Sequence, residues 1–450
     1  MLNTVLNPLI QSAIDPILVN KSNELVNLVA IFSNPSASFS VIVSKFISEM
    51  IITQDYIQNY CDKITLTCRF TIQEYESLRQ WRKDLRCEMQ WSKANMTSGT
   101  LNVDNPTLKR QYRVFFITQV DPFRQAPSKT LMGKVQGEST SNVNVTPGID
   151  EQRVECKLEL IPEYVYFVRK RNTHFIARNV TMETLLKYSA VQLGMTQHSI
   201  VTPDNTTEYE QFIVPPSLGI NELFPFLQYG SGNGVYNQGF CYYFTQQVFY
   251  VFPRFASAPR TDIIHVYSVG EKMYDGMYSN HAFAADGSTV IMANTEISSR
   301  DYNDIGAENE GTAWMFQRSE NVFENTHSMI SDKSAMNITA ENFRTIYGPE
   351  PDGIVPNNVY YKYTQSRSNE YALKSALVRM RGTEINFSWK MAVPWTFKPN
   401  RTVYFHYEKN GVFMTDTCSC EYVQYRYTPT DSKLLPLFSC TADIRISTEV

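Results

Sequence analysis

The chain has 450 residues, enough for about two to four domains. Its formal net charge of −4 gives no electrostatic reason to expect a nucleic-acid partner, and with only 19 glycines it is neither fibrous nor of low complexity. The 27 tyrosines and 26 phenylalanines point instead to strands.

The first stretch, MLNTVLNPLIQSAIDPILVN, has no basic n-region and is broken by Pro8 and Pro16, so no secretory leader is predicted and folding in a cytoplasm is expected. Residues 1–35 read as an amphipathic arm able to dock on a neighbouring subunit. ELVNLVAIF within it is apolar but far too short to span a bilayer. Strand character starts at about residue 36. FSVIVSKFI alternates in part, and DKITLTCRF alternates cleanly, with Ile64, Leu66, Cys68 and Phe70 on one face. TIQEYESLRQWRKDL reads as a helix. Thr71 and Glu74 form a capping box, and Tyr75, Leu78, Trp81 and Leu85 make an apolar stripe. RCEMQW, QYRVFFITQV, QRVECKLELI and EYVYFVRK read as strands, with a long polar loop over 121–150.

NVTMETLLKYSAVQLG is predicted to be a helix, capped by Thr181 or Asn179 and ended by Gly194. QFIVPPS is a strand stopped by two prolines. INELFPFLQY is a short or kinked helix, with Ser217 as a cap and Pro225 as the fault. The glycine cluster GSGNG, Gly230 to Gly234, follows that helix and leads into two aromatic runs around Thr245-Gln246-Gln247. A phosphate cradle requires the reverse order, strand then helix, so the cluster reads as a connection. Beyond 262 the chain is β again: TDIIHVYSV and STVIMANTEIS, an irregular stretch over 300–360, then ALKSALVRMRG, TEINFSWKM, RTVYFHYE, GVFMTDTCSCEYVQYRY and LFSCTADIRIS. Asn410-Gly411 is a strong hairpin signal. Frequent short strands with turns suggest a barrel or a sandwich.

Chemistry-bearing motifs are sparse. No Cys-x-x-Cys pair occurs among Cys61, Cys68, Cys87, Cys156, Cys241, Cys418, Cys420 and Cys440, so these are expected to be reduced core residues. None of His174, His198, His265, His281, His327 and His406 falls in a metal or nucleophile motif. Asp301, Asn303 and Gly306 match the first half of a calcium loop, but Ile305 and Thr312 stand where ligands are required. YVYFVRKRN mixes aromatic and basic residues as RNA-binding strands do, without the glycine order of that motif. No catalytic, cofactor-binding or metal site is predicted, and no cofactor. A structural or interaction protein is favoured over an enzyme.

The order of these segments resembles the baseplate or tail-tip hub proteins of tailed bacteriophages. The carrying stretches are IITQDYIQNYCDKITLTCRFTIQEYESLRQWRKDL, RVECKLELI, NVTMETLLKYSAVQLG, EYEQFIVPPSLGINELFPFLQYGSGNGVYNQGFCYYF with FYVFP, and FKPNRTVYFHYE, which together cover most of the chain from about residue 40. The resemblance implies a mainly β protein: an arm (1–35), a first β-barrel-like domain (36–171), an α+β region with an aromatic hairpin (172–261) and a second β-barrel-like domain (262–450) with a loop insert over 300–360. It also implies a homotrimer in the virion tail that joins the tail tube to a central spike or fibres, assembled in the host cytoplasm without specific nucleic-acid binding or an integral membrane segment. Two rival readings are another virion component (tail tube, adaptor or capsid accessory protein) and a glycan- or peptidoglycan-degrading tail enzyme. The chain departs from hubs with lytic modules in having no visible inserted enzyme domain.

Overall fold

The structure, a computed structural model, describes residues 25–36, 40–44, 46–97, 100–103, 108–117, 153–230, 234–255, 263–269, 282–283, 289–300, 312–316, 358–362, 371, 382–390, 392–430 and 437–448. Strands dominate, with helices concentrated in the middle of the chain. The first third gives β1 (Leu25–Ser33), β2 (Ser40–Val43), β3 (Ile47–Asp55), β4 (Lys63–Thr71), helix α1 (Ile72–Gln80), β5 (Arg86–Thr97), β6 (Thr100–Val103), β7 (Leu108–Phe116) and β8 (Arg153–Pro162). The middle gives α2 (Glu163–Arg169), β9 (Thr173–Thr181), α3 (Met182–Gln192), β10 (Gln197–Ile200), β11 (Glu208–Leu218), α4 (Ile220–Tyr229), β12 (Cys241–Thr245) and β13 (Val248–Phe252). The last part gives β14 (Ile264–Ser268), β15 (Ala282–Phe283), β16 (Thr289–Ala293), β17 (Thr295–Arg300), β18 (Thr312–Phe316), β19 (Asn358–Lys362), β20 (Gly382–Lys390), β21 (Thr402–Lys409), β22 (Val412–Pro429) and β23 (Leu437–Thr448).

Strands β22, β3, β4, β8, β7, β5, β1 and β23 pair antiparallel in that order, and β23 pairs back onto β22. Eight staves therefore close a barrel, which leaves its strands no open edge. The seam is short: β1 meets β23 only at Val26↔Phe438 and Asn27↔Leu437. Alternation puts Leu28, Ala30 and Phe32 of β1, Ile64, Leu66, Cys68 and Phe70 of β4, and Leu158 and Leu160 of β8 in the core. Each fully buried Leu, Ile or Phe among these contributes about 1.5–3 kcal/mol of transfer free energy.

A second sheet runs β16-β14-β21-β22-β23-β20-β17 and uses the same two long strands. The outer half of β22 pairs with β21. A bulge between Cys420 and Tyr422 redirects it, and its inner half pairs with β3. The chain passes from β16 to β17 over Asn294 alone, and β16 packs on β20, so this sheet curls on itself. The two-residue turn from β21 to β22 places Asn410 and Gly411 at φ 54° and 76°, the left-handed pair its sequence signals.

The middle segment has its own core. Val165 and Val168 of α2, Leu185 and Leu186 of α3 and Leu223, Phe224 and Leu227 of α4 pack with Phe212, Val214, Phe249 and Val251. Helix α3 is capped as its sequence predicts: Thr181 Oγ1 accepts from the Thr184 N–H, and Gly194 has φ 89° just past the end. The α1 capping box between Thr71 and Glu74 is present. The β12–β13 hairpin turns at Gln246 and Gln247, both with positive φ.

Several expectations need correction. EYVYFVRK is largely helix α2, not a strand. Val165 and Val168 are buried at helical spacing, and Glu163 in the first turn and Arg169 in the last suit the helix dipole, so packing overrides aromatic strand propensity. Part of the expected arm, Leu25–Ser33, is a barrel strand, and residues 1–24 lie outside the described residues. The barrel expected over 36–171 is not self-contained, because it is closed by β1 and by the C-terminal β22 and β23. Ser217 does not cap α4: it lies inside β11, next to its last residue, at φ 67°, and Gly219 takes the cap position. Helix α4 continues through Pro225. Strand β11 continues past its prolines, with a register break between Val214 and Leu218. Within 300–360, β18 pairs in parallel with β19. The 121–150 loop, Asp301 to Gly306, the strand ALKSALVRM, His281 and His327 lie outside the described residues.

Candidate functional site

The glycine cluster shows how this chain spends its polar groups. Gly230 closes α4, its N–H donating to the Phe226 carbonyl. The loop is then fastened by Gln228, a fully buried side chain of that helix. Gln228 Oε1 accepts from the Val235 and Tyr236 N–H groups at 2.9 and 3.0 Å, and its Nε2 donates to the Tyr236 carbonyl at 3.0 Å. The Val235 and Tyr236 N–H groups that follow the glycines are thus taken by a glutamine. Asn205 Nδ2 adds a bond to the Gly234 carbonyl at 2.7 Å. Ser231 and Asn233 lie outside the described residues.

Gly239 has φ 82°, and a Cβ there would come 2.9 Å from Arg254 Cβ. Gly239→Val is expected to cost about 2 kcal/mol or more, because the left-handed backbone and the contact are both unfavourable. Gly411→Ala, in an open turn with nothing within 4 Å, is expected to cost only about 1 kcal/mol. Urea titration of both variants checks the contrast.

Two buried carboxylates form the strongest polar nodes. Asp62, just before β4, accepts four hydrogen bonds: from Gln54 Nε2 at 2.9 Å, Tyr243 Oη at 2.9 Å, Thr245 Oγ1 at 3.1 Å and Trp395 Nε1 at 3.2 Å. One acid thus ties the barrel wall, the β12–β13 hairpin and the segment between β20 and β21. Trp395 has φ 58°, and it is held in that left-handed state from three sides: by Asp62, by the Trp91 ring at 5.2 Å and by the Arg110 guanidinium 3.7 Å above it. Glu421, at the β22 bulge, pairs with buried Arg254 at 2.5 Å and with Arg445 at 3.5 Å, and accepts from Ser447 Oγ. It joins the end of the middle segment to the shared strand pair. Around Asp62, burial pushes the phenols of Tyr56 and Tyr243 well above their ordinary range, so both stay protonated and act as hydrogen-bond donors.

All eight cysteines are buried, and none is in a disulfide. Burial is the main cause that raises Cys61 to about 11 and Cys156 and Cys440 to about 12, which leaves little thiolate at neutral pH. Cys418 and Cys420 both lie in the larger core cluster.

The histidines stand apart in the sequence, but the parallel pairing of β14 with β21 brings two of them together. His265 Nδ1 lies 2.9 Å from His406 Nε2, and His406 Nδ1 lies 2.9 Å from Thr415 Oγ1. Tyr267 and Phe413 stack on His406. Burial, then the neighbouring His265, lowers His406 from the usual 6.5 to about 4. The fold therefore holds it neutral. Its contribution to stability is complete above pH ~6.5 and is lost as the pH falls to ~4, by up to about 3 kcal/mol. Urea midpoints measured between pH 7 and 4 should fall, and His406→Phe should flatten that dependence.

Two open clefts lie on the β surface. One, of 630 Å³, includes Glu88, Lys109, Tyr112, Glu163, Tyr164 and Phe167 in its lining. Its carboxylates are engaged: Glu88 accepts from Gln90 Nε2 at 2.6 Å, and Glu163 pairs with Arg86 and Arg113. The other, of 580 Å³, includes Glu296, Asn386, Tyr422, Asp443 and Arg445, and there Asp443 accepts from Ser388 Oγ at 2.5 Å. In each cleft a carboxylate is thus engaged by neighbouring side chains. Among the described residues no group of three or more His, Cys, Asp or Glu is arranged to hold a metal ion, and no helix is long and apolar enough to cross a membrane.

No protein-family model matches the chain, and no curated protein matches it. Some solved structures are similar to it. The tail protein from Neisseria meningitidis MC58 is similar over 94% of this chain and 97% of its own, at 9% identity and a TM-score of 0.46. The 43 kDa tail protein of prophage MuSo2 from Shewanella oneidensis is similar over 93% of this chain and 96% of its own, at 8% identity and a TM-score of 0.45. A chain of the half-lidded Francisella PdpA-VgrG complex is similar over 99% of this chain and 61% of its own, at 11% identity and a TM-score of 0.47. These are likenesses of fold to phage tail and VgrG-related proteins, at scores too low to carry a functional argument.

Proposed function

We propose that this chain is a structural subunit of a phage-type tail tip: a trimeric baseplate or tail hub that joins the tail tube to a central spike or fibres. The observation that carries the reading is the shared strand pair. Strands β22 and β23 are staves of the closed barrel and also the centre of the second sheet, with the helix-containing segment and its aromatic hairpin inserted between the two β units. The resemblance in the sequence implies two β domains flanking such a segment, and the shared strands are what support that reading here. Two hydrogen-bonded β units in one subunit supply six sites in a ring of three, which suits a connector between a sixfold tube and a threefold spike. The polar nodes support the reading, since Asp62 and Glu421 spend their charge on fastening segments together.

Sedimentation velocity with negative-stain imaging tests the proposal. Closed rings of three copies at micromolar protein are expected. A stable monomer that neither a tube nor a spike partner converts would overturn it.

A further inference from the structure

The histidine pair sits on a short seam. Strand β14 joins β21 only from Ile264↔Val403 to Tyr267↔His406, and beyond β14 lie β16 and β15. The ring planes of His265 and His406 are 7° apart, with centroids 5.2 Å apart and facing nitrogens 2.9 Å apart. The centroid separation exceeds the nitrogen separation by two imidazole ring radii, so the rings point at one another rather than lying face to face. In that arrangement one imidazole donates an N–H and the other accepts it. Thr415 Oγ1, on the far nitrogen of His406, can donate or accept, so either tautomer is satisfied.

Charge is scarce around the pair. Among the described residues, the groups that titrate on this face of β21 and β14 are Tyr404, Tyr267 and Glu408, the last exposed and two residues along from His406. On the same face β22 offers Thr415 and Phe413, and β16 offers Val290 and Met292, none of them charged. Asp416 belongs to the opposite face of β22, where it bonds Tyr407. No carboxylate therefore replaces the imidazole as acceptor. The other face of the seam is core: Ile264, Val266, Val403 and Phe405 are buried in the larger cluster.

We propose that the His265–His406 pair is an acid-sensitive latch, whose second protonation parts β14 from β21 and opens the outer sheet while the barrel stays closed. One added proton is shared between the two rings, as an N–H on one side and a lone pair on the other. A second leaves two N–H donors and two positive charges facing one another without an acceptor. Burial and the neighbouring imidazole hold His406 neutral in the closed seam, so the open form binds protons more readily, and opening is favoured as the pH falls below the ordinary imidazole range. None of the six histidines lies in a barrel stave, so no imidazole titrates there. The latch belongs to the single chain and does not depend on the ring reading above.

The test is amide hydrogen exchange on the full chain, read by mass spectrometry between about pH 7 and 4 and corrected for the pH dependence of intrinsic exchange. Protection of β14 and of the first half of β21 should fall about a hundred-fold, while that of β4 in the barrel holds. His265→Gln should remove this acid step, because the carboxamide oxygen can accept from a protonated His406. His406→Phe, which removes the titrating ring, should remove it too. Protection of β14 that does not change with pH, or that is lost together with β4, would overturn the latch. So would an acid step that persists in His265→Gln, the milder of the two variants.

Discussion

Asp62→Ala is expected to destabilise the protein by about 3–5 kcal/mol. The variant strands four donors, from Gln54, Tyr243, Thr245 and Trp395, in a site from which water is excluded. Each buried donor left without an acceptor costs about 1–3 kcal/mol, and neighbouring side chains can recover part of that by turning towards one another. Asp62→Asn should cost less, because it keeps one acceptor oxygen and turns an amide towards the remaining donors. The loss should also be visible locally. Trp395 is pinned in a left-handed backbone by this acid, so its fluorescence should shift before global unfolding. Urea unfolding followed by circular dichroism and by tryptophan emission checks both parts. A loss below about 1 kcal/mol would mean that Asp62 is not a structural node.

Glu421→Ala is expected to cost a similar amount, about 3–5 kcal/mol, by a different route. Arg254 and Glu421 are almost wholly buried, with side-chain exposures of 6% and 2%. Removing the carboxylate leaves a guanidinium in the interior facing a methyl group. Desolvation is already spent on both ions, so the intact pair is worth much less than its breakage costs. The double variant Arg254→Met, Glu421→Leu should therefore recover most of the stability lost by Glu421→Ala. Failure to recover would show that the hydrogen bond to Ser447 or the pairing with Arg445 carries the node instead. Because this pair joins the end of the middle segment to β22, the single variant should also free that segment for limited proteolysis.

Much of the local structure was legible in the sequence. The alternation of Ile64, Leu66, Cys68 and Phe70, the Thr71–Glu74 box, the Thr181 cap with Gly194 beyond it, and the Asn410-Gly411 turn each depend on residues within about one or two turns of chain. The order of a helix before the glycine cluster and a hairpin after it was legible too. What the tertiary structure alone decided is set by contacts between distant residues. Helix α2 forms because Val165 and Val168 find a core, which local aromatic propensity cannot report. The barrel closes through β1, β22 and β23, whose staves come from opposite ends of the described chain. Three of the four donors to Asp62 lie 181, 183 and 333 residues away, and the histidine pair is separated by 141. Period and capping are short-range and leave a trace in neighbouring residues, whereas a hydrogen bond across folded layers leaves none.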